Sequence, residues 1–345
     1  MQQKHPNIPL FVAASLLIIA VAIIVRISMN VESPVNNIGN AYVATENSRI
    51  IKPDAAFFQI NSDRNNTISV VSSRPVVDTG IDNKNISSQV GGNHTKIATD
   101  PFMAMTAKAY LIGNVETGKI IMEKNADEQM PVASMSKLVT AIVATDTMSP
   151  TTTITITPAE AAAPPDGSGI SAGESYSLRE LLYPMLLDSS NIAAEAIASS
   201  TDRVKFLENM SSYAWEIGMP QAYFADPSGV NPHNEASAKD IFTLAKYLYK
   251  FRPDILKLTR TRSTSVATTS EHAAHDFESI HPFVSDPRFI GGKTGRTPEA
   301  GETMLTILNI DGIPTAFVVM GSAYGAREGD TEILISAMEK QLVRS

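Results

Sequence analysis

The chain has 345 residues, of which 43% are hydrophobic, and this supplies enough apolar material for a sizeable core. Its formal net charge is -8, from 28 Lys and Arg against 36 Asp and Glu, so the composition does not indicate a basic surface for nucleic acid. The absence of cysteine excludes disulfides, cysteine nucleophiles and thiolate metal sites. We therefore expect a globular protein that does not bind nucleic acid and does not act through thiols.

Residues 10–25 form an apolar segment near the amino terminus that contains one polar residue, Ser15. With the apolar residues before it, this segment approaches the roughly 20 residues that a helix needs to cross a bilayer. It is longer than the apolar part of a usual signal peptide, and no small-residue cleavage site follows it. We predict that residues 1–30 are an uncleaved single-pass membrane anchor, with a cleaved signal peptide as the alternative. The slight excess of positive charge before the segment places the rest of the chain on the extracytoplasmic side.

Residues 31–100 are rich in Asn, Ser and Thr and have no sustained helical or strand periodicity. This composition predicts a flexible tether with a root-mean-square span of roughly 45 Å. Residues 101–345 are then predicted to form one catalytic domain that reaches away from the membrane surface.

The first strands of this domain are predicted from two apolar runs that flank a turn. Residues 109–112 and 120–122 surround the sequence at 116–119, which contains Gly118, and this pattern is typical of a β-hairpin. Residues 153–156 predict another short strand.

The middle of the domain carries helix start signals. Ser177 followed by Glu180 is a capping box, and Ser237 followed by Asp240 repeats it. Helices are predicted at residues 181–187, 192–198 and 203–217, and again after Ser237. The short segment between the first two helices places Ser189 and Asn191 at an interhelical corner.

Strand signals return in the last third, at residues 288–295, 303–310 and 313–320, and a final helix is predicted at 332–343. This order predicts an α+β domain with an antiparallel sheet flanked by helices. The central helices form a helical subdomain between the two parts of the chain that build the sheet.

Ser134 and Lys137 are the first candidate catalytic pair, at the start of a predicted helix. Residues three apart share one face of a helix, so the two side chains meet. A serine becomes a nucleophile when a base takes its proton, and a lysine is such a base when burial or nearby positive charge destabilises its ammonium. The same spacing also arises by chance in a chain of this length, in which case Ser134 is a plain helix cap.

Two further motifs follow in order, Ser189-x-Asn191 and Lys293-Thr294-Gly295. Each has a structural explanation when taken alone, as turn residues or as an exposed strand charge. Together with Ser134-x-x-Lys137 they closely resemble the peptidase S11 family, the D-alanyl-D-alanine carboxypeptidases. The resemblance extends over about residues 107–342.

The resemblance implies a β-lactamase/transpeptidase-like fold and a role for each motif residue. Ser134 would be the nucleophile that forms an acyl-enzyme, and Lys137 would accept its proton. Ser189 would pass a proton toward the leaving group, while Asn191 would orient Lys137 and the substrate amide.

The resemblance also implies a substrate-binding strand. Lys293 and Thr294 would face the substrate carboxylate, and Gly295 would leave room for a peptide along the strand. The backbone N–H groups of Ser134 and Arg296 would form the oxyanion hole. Arg296 itself departs from the family pattern, so its guanidinium either supplies a missing carboxylate ligand or points to solvent while only its N–H acts.

Two rival chemistries were weighed against this interpretation. His272, His275 and Asp276 have ligand-like spacing, but no further placed ligand accompanies them, so no metal and no cofactor are predicted. Class A β-lactamases carry a Glu in an E-x-x-L-N segment between the second and third motifs. This chain lacks that segment, and its nearest acid, Glu235, is assigned a structural role before a helix cap.

We therefore predict a membrane-tethered serine D-Ala-D-Ala carboxypeptidase that trims peptidoglycan stem peptides through an acyl-Ser134 intermediate, with β-lactams as covalent inhibitors. A D,D-endopeptidase and a β-lactamase with the same motifs remain alternatives. A non-catalytic wall-binding or penicillin-sensing domain is the third, and the intact motif residues argue against it.

Overall fold

A computed structural model describes residues 101–164 and 167–344 of the chain. The predicted anchor at residues 1–30 and the predicted tether at 31–100 lie outside the described residues. Within the described part, none of the helices combines the length and the apolar character needed to cross a membrane.

A five-stranded antiparallel sheet with the order β2-β1-β11-β10-β9 organises residues 101–344. Its strands are β1 (Ala109–Asn114), β2 (Ile120–Lys124), β9 (Phe289–Thr297), β10 (Gly301–Ile310) and β11 (Ile313–Ser322). The predicted β1–β2 hairpin is confirmed, with Gly118 at a φ of 78° in its turn. The sheet joins both ends of the domain because β1 pairs with β11, and it leaves β9 at an edge.

Three two-stranded sheets lie outside the main one. They pair β3 (Met130–Pro131) with β6 (Glu235–Ala236), β4 (Thr153–Thr155) with β5 (Ser175–Ser177), and β7 (Ser263–Val266) with β8 (His275–Glu278). The β4 strand was predicted, whereas the β7–β8 hairpin was not. Its strands expose many polar side chains, so they lack the alternating apolar pattern from which strands are recognised.

The helices cover both faces of the main sheet. They are α1 (Ser136–Thr147), α2 (Pro158–Ala161), α3 (Leu178–Leu186), α4 (Asn191–Ser199), α5 (Arg203–Glu216), α6 (Ala238–Phe251), α7 (Pro253–Thr259) and α8 (Arg327–Arg344). The larger apolar core contains side chains of α1 and of α3 to α7 together with one face of the sheet. A smaller core packs α8 against the other face. Burial of these apolar faces is the main force that holds the layers together.

The predicted capping boxes are confirmed at the start of α3 and α6, where Ser177 and Ser237 each exchange hydrogen bonds with the acidic residue three positions later. The final helix begins at Arg327, five residues before the predicted start at Glu332. Its first turn carries Arg327, Glu328 and Asp330, and this charged sequence hides the start from a search for apolar periodicity.

Candidate active site

Ser134 lies in a 3₁₀ turn, Ala133–Met135, that runs directly into α1. Ala133, the residue before it, has a φ of 49°, a left-handed conformation that is uncommon for a non-glycine residue. The turn is held by two buried contacts, from the Ser136 hydroxyl to the Ala133 carbonyl (2.8 Å) and from the Thr303 hydroxyl on β10 to the Val132 carbonyl (3.0 Å). These contacts fix Ser134 at the mouth of the site, with its side chain partly exposed.

Lys137 is fully buried one turn after Ser134 and makes three short hydrogen bonds through Nζ. It donates to Ser134 Oγ (2.9 Å), Asn191 Oδ1 (2.8 Å) and the Ser228 carbonyl (2.6 Å). A neutral amine has two N–H groups and one lone pair. If Asn191 and Ser228 accept the two N–H groups, the lone pair faces the hydroxyl of Ser134, which is the arrangement that a general base requires.

The loop that supplies the Ser228 carbonyl was not singled out from the sequence. Asp226 shapes it by accepting hydrogen bonds from the backbone N–H groups of Ser228, Gly229 and Asn231. Gly229 has a φ of 83°, and a Cβ there would overlap the Ala133 carbonyl. The Asp-Pro-Ser-Gly sequence at 226–229 is typical of a turn, but nothing local indicates that the turn packs against the nucleophile.

Ser189 and Asn191 lie at the corner between α3 and α4, as predicted. Ser189 has a φ of 66°, and Ser190 caps α4 by accepting from the N–H of Ala193 (3.1 Å). The corner is tied to β8 because Asp188 accepts from the N–H of Glu278 (2.8 Å). Ser189 and Ala133 thus both have left-handed backbone conformations. Such strained conformations are common at active sites, where the surrounding structure holds them in place.

Lys293 extends from β9 toward the same corner and is buried, with 1% of its surface exposed. Its Nζ donates to Ser189 Oγ (2.9 Å) and to the Thr294 carbonyl (3.0 Å). Burial, together with nearby positive charge, lowers the pKa of Lys293 well below the ordinary value for lysine. We call Ser134, Lys137, Ser189, Asn191 and Lys293 the catalytic cluster.

Gly295 brings β9 close to the nucleophile. A Cβ at this position would lie 2.9 Å from the backbone nitrogen of Ser134, 2.9 Å from Ala133 Cβ and 2.5 Å from Thr303 Oγ1. Only glycine therefore fits at this close approach. The next residue on the strand is Arg296, so the contact is consistent with the predicted pairing of the Ser134 and Arg296 N–H groups in one oxyanion hole.

Two guanidinium groups flank this part of β9. The side chain of Arg296 is 54% exposed and lies over the ring of Tyr324, with Cζ 4.9 Å from the ring centroid. Arg327, at the start of α8, donates from Nη1 to the Gly295 carbonyl (3.0 Å) and was not predicted. Its approach depends on how α8 returns to the sheet, and the sequence around it carries no motif that indicates this contact.

The histidines with ligand-like spacing have other contacts. His272 stacks on Tyr176 with ring centroids 4.4 Å apart, and His275 Nε2 lies 3.2 Å from Glu174 Oε1. Across residues 101–164 and 167–344, the structure does not bring three or more His, Cys, Asp or Glu side chains together in a way that suits a metal ion.

Comparison with known proteins agrees with this geometry. The peptidase S11 family, described as D-alanyl-D-alanine carboxypeptidase, matches residues 94–323. A D-alanyl-D-alanine endopeptidase of Pseudomonas aeruginosa is 27% identical over 221 residues, which cover 62% of this chain and 71% of that protein. The D-alanyl-D-alanine carboxypeptidase DacF of Bacillus subtilis is 28% identical over 239 residues, which cover 67% of this chain and 61% of that protein.

Solved structures share the fold. Penicillin-binding protein D2 of Listeria monocytogenes, in its cefotaxime-bound form, aligns with a TM-score of 0.60 at 27% identity, over 67% of this chain and 96% of that one. The family model matches two thirds of the chain, and the fold agrees with this match. The chain belongs to the peptidase S11 family and is a serine hydrolase.

Proposed function

We propose that this protein is a D-Ala-D-Ala carboxypeptidase that removes the terminal D-alanine from peptidoglycan stem peptides. The observation that carries the proposal is the set of hydrogen bonds from Lys137 Nζ to Ser134 Oγ and to Asn191 Oδ1. Direct contact between these three side chains is what a nucleophile, its base and the group that orients the base require.

In the first step, neutral Lys137 takes the proton of Ser134, and Oγ attacks the carbonyl carbon between the two D-alanines. The negative charge that develops on the carbonyl oxygen is met by the N–H groups of Ser134 and Arg296. The C–N bond then breaks, and the proton passes to the departing amine of D-alanine through Lys137 and Ser189. Water hydrolyses the resulting ester on Ser134 and restores the free enzyme.

The terminal carboxylate of the substrate would be held at β9. Lys293 belongs to the catalytic cluster and Thr294 follows it on β9, and the guanidinium of Arg327 reaches the same strand at Gly295. Cationic donors on a strand suit a carboxylate because charge-assisted hydrogen bonds are short and strong. The carboxylate contact would orient the scissile carbonyl over Ser134.

The arrangement of acids bears on the β-lactamase alternative. Asp226 is the acid of the loop that contacts Lys137, and its carboxylate already accepts several backbone N–H groups. Glu235 lies on β6, where its backbone pairs with Pro131 of β3 and with Tyr223. Since the Asp226 carboxylate is already occupied and the chain lacks the E-x-x-L-N segment of class A β-lactamases, we expect a penicilloyl ester on Ser134 to be hydrolysed slowly.

The experiment that tests the proposal follows both reactions with one purified protein. An acylated peptide that ends in D-Ala-D-Ala should release D-alanine repeatedly, while the penicilloyl adduct should persist for minutes or longer by intact-mass spectrometry. Rapid and repeated hydrolysis of penicillin without release of D-alanine would instead identify a β-lactamase. Stable acylation without any peptide turnover would favour the penicillin-sensing alternative.

A D,D-endopeptidase is the second candidate, because the Pseudomonas aeruginosa relative has that name. Endopeptidase and carboxypeptidase reactions use the same nucleophile and differ in the size of the leaving group. Product analysis with cross-linked dimers and uncross-linked pentapeptides, offered at equal concentration, separates the two. Faster cleavage of the dimers would assign the protein as an endopeptidase.

We also propose that residues 1–30 hold the enzyme at the membrane, with the catalytic domain on the extracytoplasmic side. The apolar segment at residues 10–25 supports this proposal. The full-length protein should fractionate with membranes, and a variant that starts near Pro101 should be soluble and folded. A processed amino terminus between Arg26 and Tyr42 would contradict the anchor.

A further inference from the structure

Residues 226–234 form a loop that packs against the catalytic cluster and contains none of the motif residues. Its Ser228 carbonyl lies 2.6 Å from Lys137 Nζ, closer than Ser134 Oγ or Asn191 Oδ1. Asp226 and Asn234, the first and last residues of the loop, are both buried. We call residues 226–234 the carbonyl loop.

The Ser228 carbonyl bears on the direction of the Lys137 lone pair, and this step rests on the proposed function, in which Lys137 is the base. A carbonyl oxygen and the amide oxygen of Asn191 accept hydrogen bonds and cannot donate them. The two N–H groups of the neutral amine therefore point to these oxygens. Of the three neighbours of Nζ, only the hydroxyl of Ser134 can donate to the lone pair. If the Ser228 carbonyl turned away, one N–H would be released, and the lone pair would no longer be directed at Ser134.

Asp226 fixes the direction of this carbonyl from within the loop. Its Oδ1 accepts from the N–H (2.7 Å) and the hydroxyl (2.9 Å) of Ser228 and from the N–H of Gly229 (2.5 Å). Its Oδ2 accepts from the N–H of Asn231. The Ser228 carbonyl and the Gly229 N–H belong to one planar peptide unit, in which the two groups point in opposite directions. Because Asp226 holds the N–H, the carbonyl oxygen points away from Asp226 and toward Lys137.

Asn234 joins the carbonyl loop to the turn that carries Ser134. Its Oδ1 accepts from the N–H of Asp226 (3.0 Å), and its Nδ2 donates to Ser136 Oγ (2.9 Å). The Ser136 hydroxyl donates in turn to the carbonyl of Ala133, the residue before Ser134 (2.8 Å). A chain of buried hydrogen bonds therefore runs from Asp226 to the nucleophile turn. Buried polar networks in which each member is paired are rigid, so the carbonyl and the nucleophile are held in one frame.

We propose that Asp226 and Asn234 are positioning residues for the acylation step. They act through the Ser228 carbonyl, which keeps the lone pair of neutral Lys137 on the hydroxyl of Ser134. Neither residue takes part in the bond-breaking step, because both oxygens of Asp226 are engaged by donors of the loop and the amide of Asn234 is engaged at both ends.

The test measures acylation of the purified protein by a fluorescent penicillin over a range of concentrations. This separates the binding constant of the non-covalent complex from the rate constant of acylation. The variants are Asp226→Ala, Asp226→Asn, Asn234→Ala and the double variant with alanine at both positions. Asp240→Ala is the matched control, because Asp240 is also a buried carboxylate that holds backbone, but its hydrogen bonds are to Ser237 at the start of α6.

Asp226→Ala should lower the rate constant of acylation about 10²-fold, because the base is then misaligned, and should leave the binding constant almost unchanged. Asp226→Asn should restore most of the rate, since its amide oxygen still accepts from the N–H groups of Ser228 and Gly229. Asn234→Ala should also slow acylation. The double variant should be little slower than the slower single variant, because both residues act through one carbonyl. Asp240→Ala should lower the melting temperature and acylate at the wild-type rate.

A wild-type rate constant in folded Asp226→Ala would overturn the positioning role, as would a loss confined to the binding constant. An equal loss in Asp226→Asn would also overturn it, because the charge of the carboxylate would then matter and not its hydrogen bonds. Should Asp226→Ala fail to fold, Asn234→Ala decides in its place. These outcomes leave the proposed function intact as long as the wild type is acylated on Ser134. A wild type that is not acylated would refute the proposed function, and the positioning role with it.

Discussion

The catalytic cluster and the cavity that Glu302 and Ser322 line lie on opposite faces of β9, and their polar groups are paired in opposite ways. In the catalytic cluster, Lys137 has three acceptors and Lys293 has two, all within 3.0 Å. In that cavity, Ser322 Oγ has no partner among the described residues and Glu302 has only long contacts. A reacting centre gains from being arranged before the substrate arrives, because no reorganisation is then needed during reaction. The groups of the cavity take no part in the proposed reaction, so this requirement does not apply to them.

Removal of the proposed base, Lys137, should have the largest effect on the rate of acylation. Lys137→Ala should slow acylation by a fluorescent penicillin about 10²- to 10⁴-fold, because the proton of Ser134 then has no acceptor in place. The melting temperature should change little by comparison. Lys239→Ala is the matched control, since Lys239 is a partly exposed lysine paired with Asp127, and it should acylate at the wild-type rate. Wild-type acylation by Lys137→Ala would assign the proton to another group.

Acylation should be nearly as sensitive to a substitution at Gly295, where β9 approaches Ser134. Gly295→Ala places a Cβ against the backbone nitrogen of Ser134, so the turn must shift and the oxyanion hole must open. We expect a loss of about 1 to 3 kcal/mol in the free energy of unfolding and a loss of acylation of about 10²-fold. Gly329→Ala is the control, because a Cβ there meets no atom within 4 Å. Unchanged acylation by Gly295→Ala would show that β9 does not contribute to the oxyanion hole.

The protonation state of Lys293 can be followed by measuring kcat/KM as a function of pH. Burial lowers its pKa, so its ammonium loses the proton at a lower pH than an ordinary lysine. If that ammonium holds the substrate carboxylate, kcat/KM falls as the pH rises through this pKa. Lys293→Arg should be less active at neutral pH, because a guanidinium does not reproduce the contact with Ser189. Its alkaline limb should nevertheless move to higher pH, and identical limbs in both proteins would exclude Lys293 as the titrating group.

A smaller effect concerns His281, which is buried and whose ring contacts the Leu305 carbonyl on β10 and lies close to Gly292 on β9. Burial lowers its pKa from 6.5 to about 3. The folded state therefore favours neutral His281, and the stability that this contributes is present above pH 6.5 and is lost as the pH falls toward 3. Between pH 7 and pH 5 the wild type should lose about 2 kcal/mol of unfolding free energy that His281→Gln does not lose. Exposed His233→Gln is the control and should keep the wild-type slope in denaturant titrations.

The sequence predicted the elements whose signals are local. The β1–β2 hairpin and the capping boxes at Ser177 and Ser237 are encoded within a few residues, and the structure confirms them. Ser134 and Lys137 were expected to meet because three positions on a helix share a face, and their side chains do meet.

The features that the sequence did not predict depend on contacts between distant segments. Arg327 reaches Gly295 only because α8 returns to the sheet, and the Ser228 carbonyl reaches Lys137 only because the 226–229 turn packs on the nucleophile. The cavity that Glu302 and Ser322 line depends on the register that pairs these two residues, and register cannot be derived from one strand alone. The motifs therefore identified the residues of the catalytic cluster. The contacts that Arg327 and the Ser228 carbonyl make with the site depend on the tertiary structure.

The most direct test of the central claim is the site of covalent acylation. The wild-type protein, incubated with penicillin, should gain one penicilloyl mass, and peptide mapping should place it on Ser134. Ser134→Ala should gain no such mass while it keeps the wild-type melting temperature. Undiminished labelling of Ser134→Ala, or a penicilloyl group mapped to another residue, would contradict the account.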